Sequence, residues 1–279
     1  MTPQQQSLSP VLDLAKFKSA RAELGTKSSI EAIPDDQDGI RIDPFKITVA
    51  LTAVACVLVL ISVAVQFADH MTGYSSVFVH KLMKLTNVDL ELNVPAFFST
   101  LILLIASLLL AVVTDLKRRE KARYVWHWAL LSAGFLFMAF DETASIHERL
   151  IEPVRTLFGE VSLGVLYFAW VVPALVLLPF LAIVFLRFFI SLPANIKLGI
   201  FAAAVLYLGA AIGLELIEGS HVELYGKENL PYIALATLEE TLEMVGIIVF
   251  IRTLLVFLGD SCKKRLQFRI DNQPGTQPL

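Results

Sequence analysis

Apolar residues along this chain gather into six long blocks, at about residues 46–68, 95–115, 125–150, 162–188, 197–222 and 231–258, with polar stretches between them. Each block is near the ~20 residues that a helix needs to cross the hydrocarbon of a bilayer. The pattern predicts an all-α polytopic membrane protein, a bundle of six transmembrane helices over residues 46–258. A polar N-terminal tail, 1–45, precedes the bundle and is expected to be largely disordered. A C-terminal tail, 259–279, follows it.

Composition agrees with this reading. Apolar residues make up 56% of the chain and mean hydropathy is +0.68, whereas a soluble domain lies near ~45–50% apolar. The net charge of -3, with no aromatic platform, excludes nucleic acid as a partner. The distribution of positive charge predicts direction. Lys117, Arg118, Arg119, Lys121 and Arg123 follow the second block, and Lys263, Lys264, Arg265 and Arg269 follow the sixth. The alternate loops are poor in Lys and Arg, so both termini are expected in the cytoplasm, with the protein in a bacterial inner membrane.

The third, fifth and sixth blocks break the apolar rule. The third ends in Asp141-Glu142-Thr143-Ala144-Ser145-Ile146-His147-Glu148, the fifth carries Glu215, Glu218 and His221, and the sixth carries Glu239, Glu240 and Glu243. Ionisable groups at membrane depth lose hydration and are functional until shown otherwise. At ~1.5 Å per helical residue, Asp141 lies ~13 Å, Glu215 ~9 Å and Glu239 ~12 Å from the outer ends of their helices. The three clusters thus share one level, near the extracytoplasmic face. In a continuous third helix, Asp141, Ser145, Glu148 and Glu152 form one stripe, flanked on opposite sides by Glu142 and His147. Gly209 and Gly213, four apart with alanines nearby, predict close packing of the helix that carries Glu215.

Charge balance indicates the chemistry. Eight carboxylates face one cation in the same segments, Arg149, so either protons or metal cations must neutralise them. Imidazole with carboxylate is a ligand set for divalent Fe, Mn or Zn. Glu218 and His221 have the Glu-x-x-His spacing of carboxylate-bridged dinuclear helix bundles, although those bundles supply two such pairs and this chain has one. The expected metal ligands are Asp141, His147, Glu148, Glu215, Glu218, His221, Glu239 and Glu243, with Glu142 and Glu240 as catalytic proton acceptors. The function expected is that of a metal-dependent membrane enzyme, a hydrolase or oxidoreductase acting on a lipid or small lipophilic substrate. The alternative is a transporter of a cation or a proton-coupled solute. Membrane lipids are the expected surroundings, and a homo-oligomer or a larger membrane complex is compatible with the pattern.

Overall fold

The computed structural model describes residues 43–73, 75–159 and 162–271. The expected N-terminal tail lies outside these residues up to position 42, as do the last eight residues of the C-terminal tail. The chain is helical throughout, with no strand among the described residues.

Among the described residues, nine α-helices make up the bundle. They are α1 Pro44–Met71, α2 Val77–Thr86, α3 Val94–Arg119, α4 Val125–Ala144, α5 Ile146–Leu157, α6 Val171–Ser191, α7 Ala194–Leu208, α8 Glu215–Tyr225 and α9 Leu230–Asp271. Helices α7 and α8 are joined by a π-helical turn, Gly209–Leu214, and form one long rod. Among the described residues, five rods are long and apolar enough to cross a membrane: α1, α3, α6, the α7–α8 rod and α9. The bent pair α4–α5 makes a sixth if it is counted as one span.

The starts of these helices follow local chemistry. Asp43 accepts from the backbone N–H of Phe45, with Pro44 in the first turn, where its missing N–H costs nothing. Asn93 caps α3 through the Ala96 N–H in the same way, again ahead of a proline. The fourth apolar block is shorter as a helix than its composition implies. Its first residues form a 3₁₀ turn, Gly164–Leu166, and the helix begins only at Val171. The sixth continues past its apolar block to Asp271.

Helix α9 is the centre of the bundle. It packs along α7, α1 and α3, and 56% of its spanning window is buried against 11% for α1. Ile102, Leu103 and Leu110 of α3 meet Met244, Ile248, Ile251 and Leu254 of α9 in a core closed to solvent. Helices α3 and α4 are locked by a reciprocal pair. Ser107 Oγ donates to the Ser132 carbonyl at 2.8 Å and Ser132 Oγ to the Ser107 carbonyl at 2.9 Å. Hydroxyl-to-carbonyl bonds of this kind replace the hydrophobic drive that is absent between helices in lipid. The outer surfaces carry large apolar side chains such as Leu60, Phe180, Ile183 and Leu198. In a membrane these contact acyl chains.

Gly209 and Gly213 do not mediate the close packing expected of them. A Cβ at either position would meet open space. The tight crossings involve Gly246, whose Cβ would lie 2.9 Å from the Tyr207 nitrogen, and Gly199, whose Cβ would collide with the Thr253 side chain. Both bring α9 against α7.

Candidate functional site

The site begins with a break. The continuous third helix expected over 125–150 is interrupted at Ser145, which adopts a left-handed backbone (φ 51°, ψ 43°), and α5 leaves α4 at 80°. The Ser145 N–H closes α4 on the Asp141 carbonyl. The Asp141 side chain then spans the break. One carboxylate oxygen accepts the His147 backbone N–H at 2.9 Å, and the other lies 2.9 Å from His147 Nδ1. An acid at the first turn of α5 satisfies an otherwise orphaned donor and suits the positive end of the helix. The predicted stripe of Asp141, Ser145, Glu148 and Glu152 therefore does not form. A helical stripe needs a single axis, and here there are two.

The bend directs His147 inward. Its ring lies edge-on to Trp170 at 5.2 Å, and Nε2 is 3.9 Å from Glu91 Oε1. With Nδ1 held by Asp141, Nε2 is the nitrogen directed at Glu91, and carboxylates on both sides favour the protonated ring.

The second arm comes from the α7–α8 rod and α9. The π turn ends at Glu215, and an insertion of this kind turns the following helical face relative to the preceding one. Glu215 accepts from Trp170 Nε1 at 3.1 Å. Glu218 and Glu239 are buried. The Glu239 carboxyl stands within hydrogen-bonding reach of both Glu215 and Glu218. One turn further along α9, Glu243 lies near Tyr207, and the charges of Glu240, Glu243 and Glu142 act on one another. Two carboxyl groups at such range must share a proton or a cation.

A third contribution escaped the sequence reading. The loop before α3 supplies Asp89 and Glu91, both facing the cluster. The loop is fixed by Ser62 Oγ, which accepts the Val88 N–H at 3.1 Å, and by Asn93 Nδ2, which donates to the Asn87 carbonyl at 2.6 Å. Asp89 accepts from the Tyr232 hydroxyl at 3.3 Å. Desolvation raises its pKa from 3.8 to about 6, against the opposing pull of Lys227 and Tyr232. Glu91 rises from 4.5 to about 7, first through desolvation and then through the charge of Glu148. Lys227 sits 4.8 Å over the Phe168 ring and 5.7 Å over that of Tyr232, an aromatic seat for a cation beside the acids. The visible signal was the alternation Val88-Asp89-Leu90-Glu91-Leu92, which a search confined to apolar blocks passes over.

The predicted residues thus divide. Asp141, Glu142, His147 and Glu148 from the bent pair, Glu215 and Glu218 from α8, and Glu239, Glu240 and Glu243 from α9 act on one another or on the loop acids. His221 is turned elsewhere, with Nε2 2.7 Å from Asn229 Oδ1 and its ring against Tyr225. Among the described residues, Glu218 Oε1 and Glu91 Oε2 are buried without a hydrogen-bond partner. Among the described residues, no group of three or more His, Cys, Asp or Glu side chains is spaced to hold a metal ion as it stands.

The chain belongs to the family described as a domain of unknown function, DUF8692, whose model matches residues 48–258. The match covers every residue named in the site, from Asp89 to Glu243. No curated protein and no solved structure gives a match.

Proposed function

We propose that this protein is a metal-dependent membrane enzyme, a hydrolase or oxidoreductase acting on a lipid or a small lipid-soluble molecule at the extracytoplasmic side of the bundle. The observation that carries the reading is Glu239, whose carboxyl meets those of Glu215 and Glu218 from a second helix. Three acids at one point ask for positive charge, and a divalent cation replaces two shared protons without changing the net charge. The same three carboxyls, with Glu243, Glu148 and Nε2 of His147, are donors of the kind that Fe, Mn or Zn takes, and they would draw together around an ion that displaces their protons. Asp141 is the partner that orients the imidazole, as second-shell carboxylates do for metal-bound histidine. An ion held there would supply Lewis acidity or a redox centre. Glu142 and Glu240 flank the donor set and are assigned to proton transfer, and Trp170 holds Glu215 in position.

The test is elemental analysis of detergent-purified protein with calorimetric titration of Fe(II), Mn(II) and Zn(II). About one or two ions per chain, lost in Glu239→Gln and in Glu218→Gln, support the proposal. Protein that takes up none of the three metals overturns it.

A transporter of cations or of a proton-coupled solute is the second reading, and helix discontinuity favours it. The break at Ser145 and the π turn at Gly209–Leu214 both fall beside the acids, and interrupted helices are the usual seats of transported ions. Ion- or proton-gradient-driven flux in proteoliposomes, abolished by Glu239→Gln, would select it over the enzyme.

A further inference from the structure

A second site lies at the opposite end of the bundle, independent of the acids. A cavity of about 740 Å³ opens between the end of α3, the start of α4, the end of α6, the start of α7 and α9. Its floor is apolar and buried: Trp128, Phe188, Leu192, Ile196 and Phe257. The rings are organised, with Trp128 edge-on to Phe188 at 4.8 Å and stacked on Phe257 at 5.1 Å. On the opposite face of α4 from the cavity, and near the same level, Trp126 is 81% exposed. A tryptophan next to a run of basic residues at a helix end marks the level of lipid headgroups.

The rim is charged. Lys117 and Glu120 satisfy each other at 2.8 Å, and Lys117 Nζ also lies 5.0 Å over the Phe257 ring. Two rim charges remain. Arg123 rests 5.4 Å over the Tyr124 ring with no carboxylate partner, and Asp260 has no cation partner among the described residues. Among the described residues, the cavity therefore presents one unpaired cation and one unpaired anion above an aromatic floor. We propose that it binds a zwitterionic phospholipid with a primary ammonium, a phosphatidylethanolamine of the adjacent leaflet. The phosphate is taken by Arg123, the ammonium by Asp260, and the glycerol and first acyl carbons by the floor.

Charge and ring geometry choose this occupant over its neighbours. An anionic headgroup without an ammonium leaves Asp260 unmatched beside a phosphate, which is repulsive at short range. A choline headgroup cannot donate a hydrogen bond to Asp260. Its usual aromatic partners are engaged here, because the rings face Lys117, Arg123 and one another.

Native mass spectrometry of the full chain, released from detergent with equal amounts of dioleoyl phosphatidylethanolamine, phosphatidylglycerol and phosphatidylcholine, tests the assignment. One phosphatidylethanolamine should be retained about tenfold over either competitor. Asp260→Asn should lower it to the level of phosphatidylcholine, and Arg123→Gln should weaken retention of both lipids. Both residues are exposed at the rim, so these variants keep the fold. Equal retention of the three lipids, preference for phosphatidylglycerol, or an unchanged preference in Asp260→Asn would each overturn the proposal.

Discussion

His147 and Asp141 meet across a broken helix: the imidazole Nδ1 and the backbone N–H of the histidine both bond the aspartate carboxylate at 2.9 Å. The pair joins α4 to α5 and fixes the direction of Nε2. A charge-assisted hydrogen bond contributes about 1.5–3 kcal/mol. In a double-mutant cycle, Asp141→Ala and His147→Ala should therefore couple by about 1–3 kcal/mol in denaturant unfolding. Strict additivity would mean that the contact contributes nothing to the fold.

Ser145 is the hinge, and its left-handed backbone costs an L-residue about 1–2 kcal/mol. Its side chain caps neither helix. Ser145→Gly should keep or raise thermal stability, whereas Ser145→Val should lose about 1–2 kcal/mol, since branching at Cβ crowds that conformation. Equal melting temperatures for the two variants would indicate that α4 runs straight on in the membrane.

Stability should fall as pH rises from about 4 to about 7. The carboxyls of Asp89 and Glu91 are raised in the folded protein to about 6 and about 7, so the folded state binds more protons than the unfolded chain across that window. Below it both states are protonated and the penalty vanishes; above it the full penalty applies. The variant carrying Asp89→Asn and Glu91→Gln should match the wild type near pH 4 and exceed it near pH 8. Melting curves at both pH values check this, and a wild type that gains stability over the window would contradict it.

Gly246 should be sensitive to alanine and Gly213 should not. At Gly246 the new methyl meets the Tyr207 backbone at 2.9 Å and the Ala203 carbonyl at 3.1 Å, contacts that cannot yield without moving α7. Overpacking of this sort costs about 1–3 kcal/mol. At Gly213 there is open space, and the change should be close to neutral. Thermal unfolding of the two single variants separates the outcomes.

Added metal should stabilise the protein through Glu239. A ligand at 100 times its Kd raises stability by about 2.7 kcal/mol. The wild type should therefore melt at a higher temperature with Mn(II), Fe(II) or Zn(II), and Glu239→Gln should show no such rise. Because an amide still bonds the neighbouring carboxyls, the metal-free variant should melt close to the wild type. A metal-dependent rise retained in Glu239→Gln would move the ion away from this residue.

Much of the architecture was legible in the residues alone. Apolar blocks of about 20 residues specify spanning helices because lipid offers the backbone no alternative partner. Asp43 and Asn93 announce their helices, each ahead of a proline in the first turn. The acids of the third, fifth and sixth blocks stood out because carboxyls are rare in such company. The pairing of residues distant in the chain was not legible. Periodicity assigns Asp141 and His147 to different faces of one straight helix, and only the turn at Ser145 brings them together. Asp89 and Glu91 lie in a loop whose composition is ordinary, and they join the site because Ser62 and Asn93 hold that loop over α8 and α9. Glycine spacing suggested a close approach at Gly209 and Gly213, but the partner surface decides where backbones touch, and it chose Gly246 and Gly199. Solvent preference is a property of each segment and can be read along the chain. Contact is a property of pairs, and depends on bends and crossings that no single segment encodes.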